Sequence, residues 1–301
     1  MVQQVDNGDK DRLWKEDLVP IERDRSGYHV SPGYLPEIMQ LTMAQPLVWL
    51  RKGWEDLRRN PFIAVGYGAL IALVYAAIVG FALSTQFYHL GIQLTAGFIL
   101  LAPLMALGFY GISKRVEQGE SVSFRHVFQA WRHNPNGVLG LGAVMALLFL
   151  AWFMVSMLST AFLAAATSDI AVFFEAEPFP EFTQTLLTEL SLPVIVAYLG
   201  IGLVAVLVAF ALTAVSIPLL MDHPDTDAIT ALVISYKAVT RNWKPMLWWA
   251  VLIAFFTGIG LAFFYVGLVV TMPLLGFATW HAYRDALGEW REVEQPHVAY
   301  Y

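Results

Sequence analysis

Long apolar segments alternate with short polar segments along most of this chain. A run of about 20 apolar residues is long enough to cross the hydrocarbon core of a bilayer. Runs without Asp, Glu, Lys or Arg cover 62–83, 90–112, 137–166, 191–221 and 246–283. A single helix over 246–283 would be about 57 Å long, so two spans joined near Gly258–Phe264 fit better, the fifth of them short. The pattern therefore predicts six transmembrane helices.

Three segments that precede apolar runs share a second pattern. Each ends in a basic residue, an Asn and a Pro, and the copies align on Asn60, Asn134 and Asn242. Apolar residues lie ten, six and three positions before each Asn, which is the spacing of one helix face. We call these the amphipathic segments: Leu50–Pro61, Phe124–Pro135 and Leu232–Pro245.

Aromatic residues occupy the position six residues before each aligned Asn, and basic residues lie on the other faces. A helix of this kind can lie in the headgroup layer of a membrane. The alternative interpretation is an ordinary loop with chance patterning. On the first interpretation, seven side chains are expected to contact lipid headgroups: Trp54, Phe128, Tyr236, Arg58, Arg59, Arg132 and Arg241.

Together these elements form a unit that recurs along the chain, at about 46–115, 121–223 and 228–285. Each unit is an amphipathic helix, a span, and a return span with a proline near its exit: Pro103, Pro218 and Pro273. Proline is also tolerated in buried membrane helices, so no single proline decides the repeat. The predicted fold class is all-α, a polytopic bundle of six transmembrane helices with three interfacial amphipathic helices in a pseudo-three-fold repeat.

Charged residues are confined to the ends of the chain and the short links. Residues 1–45 predict a largely disordered polar tail, 46–285 the membrane domain, and 286–301 a second polar tail. With six spans, all 18 Lys and Arg fall on one side of the membrane, whereas five spans would place Arg284 and Arg291 on the opposite side from the others. The positive-inside rule makes that side cytoplasmic, so we expect both termini in the cytoplasm.

Composition narrows the class of protein further. Hydrophobic residues make up 57% of the chain and charged residues 14%, which is typical of a polytopic membrane protein. The absence of Cys excludes disulfides and thiolate metal sites. Spans without charged residues argue against ion-coupled transporters and pumps. His89 and His281 lie at opposite edges of the membrane and cannot ligate one haem, so we expect no cofactor, no metal and no enzymatic activity.

Several runs resemble a known family. Pro46–Leu57 leads to Arg59-Asn60-Pro61, and the last span ends in Pro273–Arg284, of which Trp280–Arg284 is the most specific part. These runs resemble the bacterial family of predicted integral membrane proteins catalogued as domain of unknown function 2189, over about 46–285. The resemblance implies a six-span protein of the bacterial inner membrane and supplies no catalytic residues.

Two functional hypotheses follow. The first is a non-enzymatic inner-membrane protein that acts as a scaffold, as an accessory subunit of a membrane complex, or as an organiser of anionic lipid. The second is a transporter or channel-like protein for a lipid or a small neutral solute. A continuous polar cavity between spans three, four and six would favour the second. The basic residues adjoin lipid, so no nucleic acid is expected, and the sequence does not indicate an oligomeric state.

Overall fold

The computed structural model describes residues 34–84, 97, 101–167, 192–263 and 266–292. Residues 1–33 and 293–301, most of the predicted polar tails, lie outside the described residues. Helices dominate, which confirms the all-α class. They are α1 (Gln45–Arg59), α2 (Pro61–Ser84), α3 (Leu107–Glu117), α4 (Phe124–Gln129), α5 (Pro135–Thr167), α6 (Leu192–Thr213), α7 (Ser216–Asp222), α8 (Ala228–Arg241), α9 (Trp243–Ala262) and α10 (Leu268–Ala286).

Two strands, which the sequence pattern does not predict, lie at the two ends of the described chain and pair with each other. Strand β1 (Tyr34–Ile38) pairs antiparallel with β2 (Leu287–Glu292), which continues directly from α10. Both strands lie mainly within the segments predicted as polar tails. The backbone N–H of Met39 also donates to the carbonyl of Ala286, so the pairing continues to the end of α10.

Within the described residues, four helices are long and apolar enough to cross a bilayer. They correspond to predicted spans one, three, four and five: Pro61–Phe81, Pro135–Val155, Gly200–Asp222 and Trp243–Ala262. About half of the predicted second span, 90–112, lies outside the described residues. The predicted sixth span corresponds to α10, which is helical but less apolar. The count of six spans stays a prediction.

The last apolar run consists of two helices, as predicted, but the turn lies later than expected. Helix α9 continues through Gly258 and Gly260 to Ala262, and α10 begins at Leu268. Helix α9, which corresponds to the predicted fifth span, is therefore 20 residues long, and the expectation that this span would be short was wrong. Glycine does not have to end a helix in an apolar environment, because the backbone groups there must stay hydrogen-bonded within the segment.

Helix α10 forms the centre of the bundle. It packs against α1, α2, α3 and α9, and most of its residues are buried. Two glycines allow the close approach: a Cβ at Gly53 would lie 2.7 Å from the backbone N of Ala278, and one at Gly68 would lie 2.6 Å from the carbonyl O of Val269. Small residues are the usual means by which membrane helices approach one another.

The glycines of the first predicted span differ in what they contact. Gly68 contacts the backbone of α10, and a Cβ at Gly66 would lie 3.5 Å from the Phe124 ring. A Cβ at Gly80 would meet no atom of the described residues within 4 Å.

The three prolines of the predicted repeat do not take equivalent positions. The helix that contains Pro103 is interrupted at Ala106, and a turn at 214–215 precedes Pro218, whereas α10 runs through Pro273 without a break. Ser235 of α8 hydrogen-bonds the backbone groups freed at the second interruption. Its Oγ accepts from Val215 N at 3.1 Å and donates to the carbonyl of Ala211 at 2.8 Å. The pseudo-three-fold repeat stays a prediction.

Candidate functional site

All seven side chains predicted to contact lipid headgroups are exposed. The exposed fractions of the aligned aromatic residues Trp54, Phe128 and Tyr236 are 39%, 49% and 55%. The Arg58 guanidinium lies 5.0 Å from the centre of the Trp54 ring, a cation–π geometry.

The four predicted arginines have no carboxylate partner in the described part of the chain. Arg58, Arg59, Arg132 and Arg241 are absent from its ion pairs, which instead involve other basic residues. Arg115, for comparison, pairs with Glu120 at 2.6 Å. No described carboxylate therefore competes with an external anionic group for the four arginines.

The most buried face of these helices is offset from the predicted apolar face, of which Leu57 is buried and Trp131 and Val239 are partly buried. The buried positions lie seven and four residues before each aligned Asn, and the aromatic position beside them is exposed. Small residues and one carboxylate occupy several of these buried positions, so apolar character alone misplaces the face. The residues concerned are Gly53, Val127 and Ser235 at the first position and Asp56, Ala130 and Ala238 at the second.

Two of the three aligned asparagines are buried and connect distant parts of the chain. Asn242 accepts from Leu41 N at 2.8 Å and donates to the carbonyls of Met39 and Ala238. Asn134 donates to the carbonyl of Thr226 at 2.8 Å and accepts from Gly137 N. These bonds tie the second and third amphipathic segments to neighbouring links at the same end of the bundle.

Asp227 caps the N-terminus of α8. Its Oδ1 accepts from Ile229 N at 2.9 Å and from Thr230 N at 3.0 Å. Partial burial opposes ionisation of Asp227, but these hydrogen bonds outweigh it and lower the pKa below the ordinary value.

A buried carboxylate joins the first amphipathic segment to the helices of the second and last predicted spans. Asp56 of α1 is 5% exposed, and its Oδ2 accepts from Ser113 Oγ at 2.6 Å and from His281 Nε2 at 2.9 Å. The side chain of His281 is 15% exposed, so this residue, predicted to be interfacial, is mostly enclosed by protein.

A second carboxylate, Asp222 at the end of α7, contacts the same two helices, α3 and α10. It accepts from Lys114 Nζ at 2.8 Å and from the Tyr283 hydroxyl at 2.7 Å, and Arg284 lies 3.6 Å away. Burial is the largest influence on neighbouring His223 and lowers its pKa, and Asp222 opposes the shift.

The C-terminal part of α10 takes part in two further hydrogen bonds, each from a tryptophan N–H to a carboxylate. Trp280 Nε1 donates to Glu117 of α3 at 3.2 Å, and Trp49 Nε1 of α1 donates to Asp285 at 2.8 Å. We call this set the polar network; it comprises Trp49, Asp56, Ser113, Lys114, Glu117, Asp222, Trp280, His281, Tyr283, Arg284 and Asp285.

The polar network differs in its connections from a Ser-His-Asp triad. The Ser113 hydroxyl donates directly to the Asp56 carboxylate and not to His281. Among the described residues, no group of three or more His, Cys, Asp and Glu could hold a metal ion. The carboxylates are committed to donors from other helices, and the arrangement connects α1, α3, α7 and α10.

Sequence reasoning missed most of the polar network. The one available signal was Trp280–Arg284, which the sequence analysis used only to recognise a family. Its partners, such as Asp56 in the amphipathic α1 and Asp222 at the end of α7, are charged residues near helix ends, and nothing local to them indicates a contact across the fold.

A cavity of about 160 Å³ lies deeper in the bundle, between residues 102–110, α6, α9 and α10. Its lining is mainly apolar, and α5 does not contribute to it. Its position and polarity differ from the continuous polar path between spans three, four and six that a solute transporter would need.

Similarity to known proteins agrees with the membrane character of these helices. The model of a family described as predicted integral membrane protein, DUF2189, matches residues 90–222. This chain is an integral membrane protein. The DUF2189 match confirms the resemblance and covers α3–α7, including Ser113, Lys114 and Asp222. It is narrower than the range expected from the sequence. A search of curated proteins and a search of solved structures each gave no significant match.

Proposed function

We propose that this DUF2189-like protein is a non-enzymatic membrane protein that binds and organises anionic lipid headgroups along one rim of its helix bundle. The observation that carries the proposal is the set of four exposed arginines without carboxylate partners among the described residues, on segments whose aligned aromatic residues are also exposed. The accessory-subunit role is a narrower form of the same hypothesis.

Contacts between the links support a single rim. The amphipathic segments precede α2, α5 and α9 directly, and the polar network and the buried asparagines bind the adjoining helix ends together. Each basic residue near an anionic surface contributes about 1 kcal/mol, an effect that falls off within a Debye length. The exposed aromatic side chains suit the boundary between headgroups and acyl chains.

Two matched double variants test the headgroup site. Arg132→Gln with Arg241→Gln removes two arginines without partners, and Arg51→Gln with Arg115→Gln removes two that pair with Glu55 and Glu120. Native mass spectrometry in the presence of phosphatidylglycerol should show fewer bound lipids in the first variant only. Equal lipid retention by the two variants would show that the exposed arginines do not bind headgroups.

The membrane orientation forms part of the proposal. Six spans with both termini in the cytoplasm would place the rim on the inner leaflet of a bacterial inner membrane, consistent with the positive-inside rule. Reporter fusions after Tyr301 and within 170–188 provide the test. A periplasm-active reporter at the first position, or a cytoplasm-active one at the second, would overturn this orientation.

A further inference from the structure

The cavity lies where two membrane helices are interrupted. Ala106, at the first interruption, and Ala214, at the second, both line it. Irregular backbone at membrane depth is tolerated where it is buried in protein or lines a cavity. The small side chains at these positions, together with Ala209 and Gly276, leave the space unfilled.

The polar groups of the cavity are few, and the Tyr110 hydroxyl is not alone in lacking a hydrogen-bond partner among the described residues, because the buried Trp249 Nε1 also has none. Thr213 and Thr279 donate their hydroxyl protons to the carbonyls of Ala209 and Leu275, so only their oxygen lone pairs remain free. Tyr110 is 2% exposed, and its hydroxyl makes no hydrogen bond to any residue that the structure describes. A buried hydroxyl without a partner is costly, so this group points to a missing hydrogen-bond partner.

The size and lining restrict what that partner can be. None of the described residues that line the cavity is Asp, Glu, Lys, Arg or His, which favours a neutral ligand over a charged one. The volume is far larger than the approximately 30 Å³ of one water, and an apolar cavity of about 150 Å³ accommodates benzene. The space is too small for a lipid headgroup with its glycerol.

We propose that this cavity binds one small, neutral, mainly apolar molecule that bears a single hydroxyl or carbonyl group. The apolar part fills the space between α6, α9 and α10, and the polar group exchanges a hydrogen bond with the Tyr110 hydroxyl. The site is separate from the headgroup rim and does not depend on the function proposed for that rim.

A matched pair of fluorinated probes tests the proposal on the full chain in lipid nanodiscs. 4-Fluorophenol and 4-fluorotoluene differ by one polar group, and ¹⁹F NMR separates a saturable bound signal from probe dissolved in lipid. We expect a bound signal for the phenol. Tyr110→Phe should weaken binding of the phenol by about fivefold, the size of one neutral hydrogen bond, and leave the toluene unchanged.

Filling the cavity should abolish binding of both probes. Ala209→Leu and, from another helix, Ala106→Leu reduce the space, whereas Ala254→Leu adds the same atoms to an exposed position of α9. A thermal melt identifies any variant that fails to fold, and the second filling variant then replaces it. The proposal is overturned if no saturable signal appears, if a folded filling variant binds like the parent, or if Tyr110→Phe affects both probes equally.

Discussion

Asp56 Oδ2 lies 2.9 Å from His281 Nε2, although 225 residues separate them in the chain. The same oxygen accepts from Ser113 Oγ at 2.6 Å. A buried carboxylate is tolerated only when it is paired and hydrogen-bonded, and here both requirements are met by residues from other helices. The contact thus fixes α1 against the end of α10 and against α3.

Removing that carboxylate should therefore destabilise the fold. We expect Asp56→Ala to lower the free energy of unfolding by about 3 kcal/mol, because Ser113 and His281 lose a shared buried acceptor. The neighbouring Glu55→Ala is the control, since its 4.0 Å pair with Arg51 is exposed and should contribute less than about 1 kcal/mol. Denaturation in mild detergent measures both, and similar losses would show that the contact contributes no more than a surface pair.

Two glycines of the first unit should respond oppositely to the same substitution. Gly53→Ala would place a Cβ 2.7 Å from Ala278 N and 2.8 Å from Leu274 O, both backbone atoms that cannot move aside separately. We expect a loss of about 1–3 kcal/mol as α1 is displaced from α10. Gly80→Ala should be neutral or slightly stabilising, because a Cβ there meets nothing within 4 Å.

Thermal melts of the two glycine variants in detergent show whether packing or helix propensity determines the change in stability. If propensity dominated, both substitutions would stabilise the protein. A Gly53→Ala protein that melts at or above the parental temperature would contradict the close contact between α1 and α10.

The features that sequence reasoning predicted well depend on chain length and local pattern. The hydrocarbon thickness sets how long an apolar run must be, so α2, α5, α6 and α9 are visible in the sequence. Asp227 is likewise visible, because an N-cap acts on backbone only two and three residues away.

The missed features depend on contacts between distant helices. Gly53 lies on a buried face because α10 approaches it closely, and Ser235 does so because it hydrogen-bonds backbone groups at an interruption of a neighbouring helix. Neither cause can be seen in the local sequence. The same holds for Tyr110, whose unused hydroxyl is recognisable only when the surrounding helices are placed. Aromatic residues such as Trp54 are exposed, and the buried positions beside them hold small or polar residues that an apolar pattern does not mark.

The Asp227 cap should give α8 a pH-dependent contribution to stability. Because the folded-state pKa of Asp227 is below its ordinary value of 3.8, the stabilisation is fully present above that value. It is lost as the pH falls through the lowered pKa. Asp227→Ala should cost about 1 kcal/mol at neutral pH.

Asp227→Asn separates the cap from its charge. The amide oxygen can still accept from Ile229 N and Thr230 N, so most of the stability at neutral pH should remain while this residue's acid-dependent loss disappears. Unfolding curves between about pH 3 and pH 7 compare the variants in the range of the carboxyl pKa. An unchanged acid dependence in Asp227→Asn would show that other carboxylates control it.

The three aligned asparagines should rank in stability according to their hydrogen bonds and not their position in the repeat. Asn242 makes three side-chain bonds and Asn134 makes two, whereas the half-buried Asn60 makes none with the described residues. At about 1 kcal/mol for each bond, substitution by Ala should cost about 3 kcal/mol at Asn242 and about 2 kcal/mol at Asn134. Asn60→Ala should cost well under about 1 kcal/mol by the same reasoning. Unfolding of the three variants in one detergent gives the order directly. Equal costs would mean that the residues share a role set by the repeat, such as ending each amphipathic helix, and that their tertiary bonds contribute little.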